Sequence, residues 1–198
     1  GNSLTNAIWL DPDAEGTQAK ITIEAPVNIA MTGGFGGNGI AIQKTDRWGE
    51  SSTEAAEEAE VNITGDVTIK GADNQTWGIG VNSENVFSRF NNAGILVAVN
   101  ESSVTVDGNV YMDVYGNGIT TTAKDSTVTV KGGEITVPTG MNYGYYTLGS
   151  YLGTINMNTS ADGNTTGAET VKLNGDIFVL KDTGKINLAL TTEESYLN

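Results

Sequence analysis

The chain of 198 residues contains no cysteine and no histidine. Without cysteine it can form no disulfide, offer no thiol nucleophile and supply no thiolate ligand to zinc. Without histidine, the Ser-His-Asp arrangement of many hydrolases cannot be built. These two absences exclude several common kinds of catalytic and metal site before any motif is considered.

Basic residues and long apolar runs are also scarce. Ten lysines and arginines stand against 24 acids, which gives a formal net charge of −14. A protein that neutralises nucleic-acid phosphates needs a basic surface, so we expect no nucleic-acid partner. No run approaches the roughly 20 apolar residues of a membrane-spanning helix. We therefore expect no direct membrane insertion of this fragment.

Glycine is abundant, at 26 residues, whereas there are only 3 prolines and charged residues make up 17% of the chain. Asparagine, threonine and serine take the place of the missing charges. Threonine favours strands, while glycine, asparagine and serine favour tight turns. The composition therefore predicts an all-β protein made of many short strands.

A two-strand motif recurs along the chain. Each copy alternates apolar and polar residues, turns at a short corner that usually contains glycine, and alternates again, as in Val104-Thr105-Val106-Asp107-Gly108-Asn109-Val110-Tyr111-Met112. Alternation with a period of two is the signature of a β-strand. The copies, the first of them degenerate, span residues 21–29, 61–69, 104–112, 128–137 and 171–179.

A glycine-flanked third strand follows most copies, at residues 39–42, 78–81, 118–120 and 184–190. Fainter strands are predicted at residues 94–99 and 153–157. Three strands and three corners make one coil of a three-sided solenoid, in which each coil covers the open sheet edge of its neighbour. The spacing of the copies predicts about seven to nine such coils, since one coil of a repeat protein takes on the order of 20 to 25 residues.

The predicted fold class is all-β, a three-sided parallel β-helix with loop insertions. The repeats cover residues 21–198, and residues 1–20 form an N-terminal segment or cap. Insertions that leave the stack are predicted near residues 43–60, which are rich in glutamate, near residues 82–93, and near residues 158–168, which are polar.

Two glycine patterns are candidates for ligand sites. Gly34-Phe35-Gly36-Gly37-Asn38-Gly39 has the spacing of a dinucleotide-binding loop, and residues 33–40 resemble a calcium-binding nonapeptide. The first requires a helix after the loop, but a strand is predicted from Ile40. The second binds between successive turns, so one degenerate copy makes no site. We therefore expect no cofactor and no metal.

Two pairs of acids are candidates for catalysis. Asp107 and Asp113 lie in one predicted coil, and Asp66 and Asp73 lie in another. Hydrolysis of a polysaccharide requires two carboxyl groups at a defined separation. Acids on outward strand positions are ordinary surface residues, however, and no Gly-x-Ser-x-Gly elbow is present. The sequence therefore predicts no catalytic residue and a protein that is not an enzyme.

The best candidate for a ligand contact is a group of tyrosines. Tyr143, Tyr145, Tyr146 and Tyr151 fall within nine residues of one another, and their rings could contact a carbohydrate or a protein. Packing in the core or on a strand face is the alternative interpretation of the same residues.

The alternating Val-Thr-Val-x-Gly-x-Val pattern, the Asn/Thr/Gly bias, the missing cysteine and the stretch Gly184-Lys185-Ile186-Asn187-Leu188-Ala189-Leu190 resemble passenger domains of Gram-negative autotransporters, the type V secreted proteins. The resemblance covers about residues 20 to 198 and is one of pattern. It implies a right-handed parallel β-helix, which agrees with the handedness of parallel crossovers in general. It also implies an extracellular location on the bacterial cell surface.

Many proteins of this family are adhesins, so the resemblance implies a role in cell-surface adhesion or self-association. The partner would be a host or bacterial surface protein or glycan, or a second copy of the chain. Two alternatives stay open: a structural stalk that displays another domain, and a carbohydrate-active β-helix enzyme. The enzyme would need an acid pair in a groove along one sheet, with Tyr111, Tyr115, Tyr145 or Tyr146 as sugar platforms.

Overall fold

The protein is all-β with parallel sheets. The computed structural model describes residues 6–12, 19–31, 38–43, 58–71, 93–139, 145–160, 162–165 and 167–198, and these contain strands and turns but no helix. In chain order the strands are β1 (Ile8–Leu10), β2 (Ala19–Ile23), β3 (Val27–Ala30), β4 (Ile40–Ile42), β5 (Ala59–Ile63), β6 (Val67–Lys70), β7 (Ala93–Val97), β8 (Ser103–Asp113), β9 (Asn117–Thr121), β10 (Thr127–Thr136), β11 (Tyr146–Ser150), β12 (Thr154–Met157), β13 (Val171–Asn174), β14 (Asp176–Val179), β15 (Lys185–Leu188) and β16 (Tyr196–Leu197).

The strands pair in three ladders. Ladder A is a six-stranded sheet in the order β1-β4-β7-β9-β11-β14. Ladder B contains β2, β5, residues 103–106 of β8, residues 127–130 of β10, β12 and β15. Ladder C contains β3, β6, residues 110–113 of β8, residues 133–136 of β10, β13 and β16. Because β8 and β10 run through both, ladders B and C form one ten-stranded sheet.

The chain visits the ladders in the same order throughout. Each passage from A to B to C makes one layer, so layer 1 is β1, β2 and β3, and layer 6 is β14, β15 and β16. Every strand pairs in parallel with its equivalents in the adjacent layers. This arrangement is consistent with a parallel β-helix.

One apolar core lies among the three ladders. Its members repeat from layer to layer, as in the ladder A row Ile8, Ile40, Ile95, Ile119 and Leu148 and the ladder B row Ile21, Val61, Val104, Val128, Ile155 and Ile186. The members from layers 2 to 5 are fully buried. Burial of one such side chain contributes roughly 1.5–3 kcal/mol. These rows explain why apolar residues recur with a period of two in each copy.

The described residues form six layers, whereas the spacing of the copies predicts seven to nine coils. Direct pairing between strands of adjacent layers leaves no place for additional coils between them. The insertion between β6 and β7 illustrates this, since Ile40 of β4 pairs directly with Ile95 of β7. A further coil cannot lie between two strands that are already hydrogen-bonded to each other. The predicted third strand at residues 78–81 lies outside the described residues.

The copy at residues 171–179 lies on different ladders from those that the repeat alignment predicts. The repeat alignment predicts that Val171 is equivalent to Val128, on ladder B. In the structure Val171 pairs with Gly133, so β13 belongs to ladder C and β14 to ladder A. The stretch 184–190, predicted as a third strand, forms β15 on ladder B, next to β12. The predicted strands at residues 94–99 and 153–157 are present as β7 and β12.

The three predicted insertions fall between different pairs of strands, and the structure describes most of one of them. Residues 44–57, between β4 and β5, and residues 72–92, between β6 and β7, are outside the described part. The third lies between β12 and β13, where Thr159 and Thr165 form an antiparallel bridge. This excursion folds onto ladder B, because Thr159 Oγ1 donates to the carbonyl oxygen of Asn187 at 3.2 Å. The N-terminal segment, predicted as a cap, contributes β1 to ladder A.

Asparagine side chains connect the layers where the chain enters ladder A. Asn38 Oδ1 accepts a hydrogen bond from the backbone N–H of Ala93 at 3.0 Å, and Asn117 Oδ1 accepts one from Tyr146 N–H at 3.0 Å. Asn117 is buried. Each amide therefore satisfies the backbone donor of the residue that begins the ladder A strand of the following layer.

We expect Asn117→Ala to lower the free energy of unfolding by about 1–3 kcal/mol, because the part-buried N–H of Tyr146 loses its acceptor and the buried Asn117 side chain is truncated. Asn100→Ala is the matched control. Asn100 Oδ1 accepts from the N–H of Lys124 at an exposed corner, where water can replace it. Urea unfolding followed by far-UV circular dichroism measures both. Equal losses in the two variants would contradict the role assigned to Asn117.

Candidate functional site

The structure separates the predicted tyrosines. Tyr145 is buried in the core, and its ring makes an edge contact with Tyr115, with the ring centroids 6.0 Å apart. It is therefore a packing residue. Tyr143 lies outside the described residues. Tyr146 and Tyr151 are half-buried and belong to the outer side of ladder A.

Phe178 brings Tyr146 and Tyr151 together. The Tyr146 and Phe178 rings stack with centroids 4.9 Å apart, and the Tyr151 and Phe178 rings lie 4.8 Å apart with a tilt of 40°. Gly149 is paired with Phe178 across the ladder and has no side chain to fill the space between the tyrosines. A Cβ at Gly149 would lie 3.7 Å from each tyrosine ring. We call Tyr146, Tyr151 and Phe178 the aromatic cluster.

Two exposed leucines extend the aromatic cluster around the corner between ladders A and B. Leu152 is 39% exposed and Leu180 is 41% exposed. The corners that carry them stack on one another, since Leu180 N–H donates to Ser150 O at 2.8 Å and Thr183 Oγ1 donates to Tyr151 O at 2.6 Å. We call the aromatic cluster together with Leu152 and Leu180 the apolar corner.

A buried hydroxyl fixes the base of the apolar corner. Ser150 Oγ donates to Gly153 O at 2.6 Å and accepts from Lys185 N–H at 3.0 Å. Thr121, in the preceding layer, donates its hydroxyl to the same oxygen at 3.3 Å. A hydroxyl that is satisfied three times in the interior is rigidly oriented. The half-buried rings and the exposed leucines are therefore presented on a fixed backbone.

The acids considered for catalysis do not come together. Asp107 and Asp113 lie six residues apart along β8, a separation of roughly 15–20 Å in a strand, which is beyond the about 5–9.5 Å of glycosidase carboxyl pairs. Asp107 accepts a hydrogen bond from Lys131 Nζ, and this hydrogen bond and the negative charge raise the pKa of Lys131. Asp66 Oδ1 accepts from the backbone N–H of Asn109. Asp73 lies outside the described residues.

The glycine patterns fall mostly outside the described part, which resumes at Asn38. Asn38 and Gly39 lead directly into β4, as expected for a strand rather than a helix after the glycines. Within the described residues, no group of three or more Asp or Glu is placed to hold a metal ion. None of these residues belongs to a helix that could cross a bilayer.

No family model, curated protein or solved structure matches the chain. Phe178 is the member of the aromatic cluster that the sequence did not reveal. The repeat pattern assigns residues 177–179 to ladder C, whereas β14 lies next to β11 on ladder A.

Proposed function

We propose that this chain is part of a secreted bacterial surface protein of the autotransporter-passenger type, and that it mediates cell-surface adhesion or self-association. In this proposal the three ladders wind as a right-handed, three-sided parallel β-helix. The apolar corner is the observation that carries the proposal. It places three half-buried aromatic rings in mutual contact, together with two exposed leucines, on the surface of a chain whose net charge is −14.

Several physical arguments support an interaction role. Contiguous exposed apolar patches on soluble proteins mark contact sites for other molecules. Aromatic residues are enriched in the centres of protein interfaces. The right-handed winding follows the general rule for parallel crossovers. The partner would be a host or bacterial surface protein or glycan, or a second copy of the chain, on the outside of the cell.

Self-association through the apolar corner can be tested directly. We expect the purified chain to form concentration-dependent dimers or larger species in analytical ultracentrifugation. The double variant Leu152→Ser/Leu180→Ser should raise the dissociation constant at least about tenfold, a loss of at least about 1.4 kcal/mol. Higher salt should strengthen the association, because it screens the repulsion between two acidic molecules without weakening apolar contacts.

Leu190→Ser is the matched control, since Leu190 is 43% exposed and lies outside the apolar corner. It should associate like the parent chain. A strictly monomeric parent at the highest concentrations would refute self-association and favour the stalk. Equal weakening by the control and the double variant would show that the apolar corner is not the interface.

A further inference from the structure

Ladder C presents an outer face on which two tyrosines lie in register. Pairing between successive layers aligns one outward row, which runs Asn28, Thr68, Tyr111, Glu134, Lys172 and Tyr196. A second outward row beside it runs Ala30, Lys70, Asp113, Thr136 and Asn174. The first row crosses all six layers and the second crosses layers 1 to 5, so the surface is two side chains wide over most of its length.

This face is the most open of the three ladders. The outward side of ladder A is buried at Ala41, Leu96 and Thr120. On ladder B, Ile155 and Met157 point inward and Asn156 points outward. The outward Asn156 is nevertheless fully buried, so the outer side of ladder B is covered there. On ladder C, by contrast, Tyr111, Asp113 and Glu134 are all exposed.

The two tyrosines are arranged as platforms. Tyr111 is 42% exposed and Tyr196 is 39% exposed. Three strand spacings, roughly 14 Å, separate them along the row. Nothing apolar stands on this row between them, so the two rings are not parts of one hydrophobic cluster. A single small ring cannot contact both, which points to an oligomeric ligand that lies across the strands.

The residues between the platforms are Glu134 and Lys172, one strand apart. Their charges cancel, and both side chains can form charge-assisted hydrogen bonds. A polyanion would be repelled by a molecule with a net charge of −14. The chemistry that fits is a neutral chain of sugar rings, whose apolar faces stack on tyrosine and whose hydroxyls bond to carboxylate and ammonium groups.

We infer that the outer face of ladder C binds a neutral, extended polysaccharide laid along the stack of layers. Tyr111 and Tyr196 are the stacking platforms, and Glu134 and Lys172 bind hydroxyl groups between them. This inference goes beyond adhesion through the apolar corner and does not depend on it, since the two surfaces share no residue.

Affinity electrophoresis in gels that contain a soluble polysaccharide tests the inference. The probes are hydroxyethylcellulose, mannan and xylan, with polygalacturonate as the acidic comparison. We expect retardation by at least one neutral polymer and none by polygalacturonate. Tyr111→Ala and Tyr196→Ala should each weaken binding at least tenfold, whereas Tyr111→Phe, which keeps the stacking ring, should retain it within a few-fold.

Trp9→Ala is the control, because Trp9 is an exposed aromatic residue on ladder A. It should bind like the parent chain, and the unchanged melting temperature of each tyrosine variant should show that the fold is intact. The Leu152→Ser/Leu180→Ser variant should also bind fully, which separates this inference from self-association. Absence of retardation in all three neutral gels, retardation by polygalacturonate alone, or equal weakening by Trp9→Ala would overturn it.

Discussion

Replacement of Gly133 by alanine should lower the free energy of unfolding by more than about 4 kcal/mol, an exceptional loss for one methyl group. Gly133 has φ of +121°, a conformation that residues with a side chain rarely adopt. A Cβ there would lie 1.9 Å from the carbonyl oxygen of Val110. That oxygen belongs to β8, the strand paired with β10, so it cannot move without breaking the ladder.

Gly149→Ala provides the contrast for this prediction. Its new methyl group would meet atoms no closer than 3.7 Å, which is ordinary van der Waals contact. We expect a change within about 0.5 kcal/mol. Urea unfolding monitored by far-UV circular dichroism measures both variants. If Gly133→Ala were as stable as Gly149→Ala, the tight approach of β8 and β10 at this residue would be wrong.

Ile119→Ala should have the second largest effect, a loss of about 2–5 kcal/mol. Ile119 is fully buried in ladder A, between Ile95 and Leu148 of the adjacent layers. The truncation removes contacts on both sides and leaves a cavity that the rigid ladders cannot close. Thermal and urea unfolding of the variant would measure the loss.

The same substitution at Ile177 tests the layer-by-layer origin of stability. Ile177 occupies the equivalent position of layer 6, where it pairs with Leu148 on one side and is partly exposed. With fewer contacts to lose, Ile177→Ala should cost about 1 kcal/mol. Equal losses at Ile119 and Ile177 would argue against stabilisation by neighbouring layers.

The existence of most strands could be predicted because burial imposes a strict period of two. In residues 104–112 the buried valines and the polar residues between them alternate, and the structure forms both halves of β8 there. The ladder to which a strand belongs is not encoded in this way. Gly65, Gly133 and Gly175 have φ of +128°, +121° and +133°, so their corners look alike. Gly175 nevertheless leads from ladder C to ladder A, whereas the other two lead from B to C.

The candidate site, like the fold, can be predicted from the sequence only in part. Tyrosines close in sequence indicated an aromatic surface, and Tyr146 and Tyr151 do meet on one. Their separation from Tyr145 depends on the irregular register between Tyr146 and Leu148, which no local pattern indicates. The aligned row of Tyr111 and Tyr196 depends on four strands from different parts of the chain. Such a long-range alignment becomes visible only when the pairing of the strands is known.

The uneven placement of insertions has a consequence for the order of folding. Layers 3 and 4 are joined without an insertion, so paired residues such as Ile95 and Ile119 are 24 apart, whereas Ile40 and Ile95, in layers 2 and 3, are 55 apart. The entropy of loop closure grows with the logarithm of loop length and differs by about 0.7 kcal/mol between these two pairings. The pairing of layers 3 and 4 on ladder A therefore closes at a lower entropic cost than that of layers 2 and 3, and the preceding layers can add to a template that already exists.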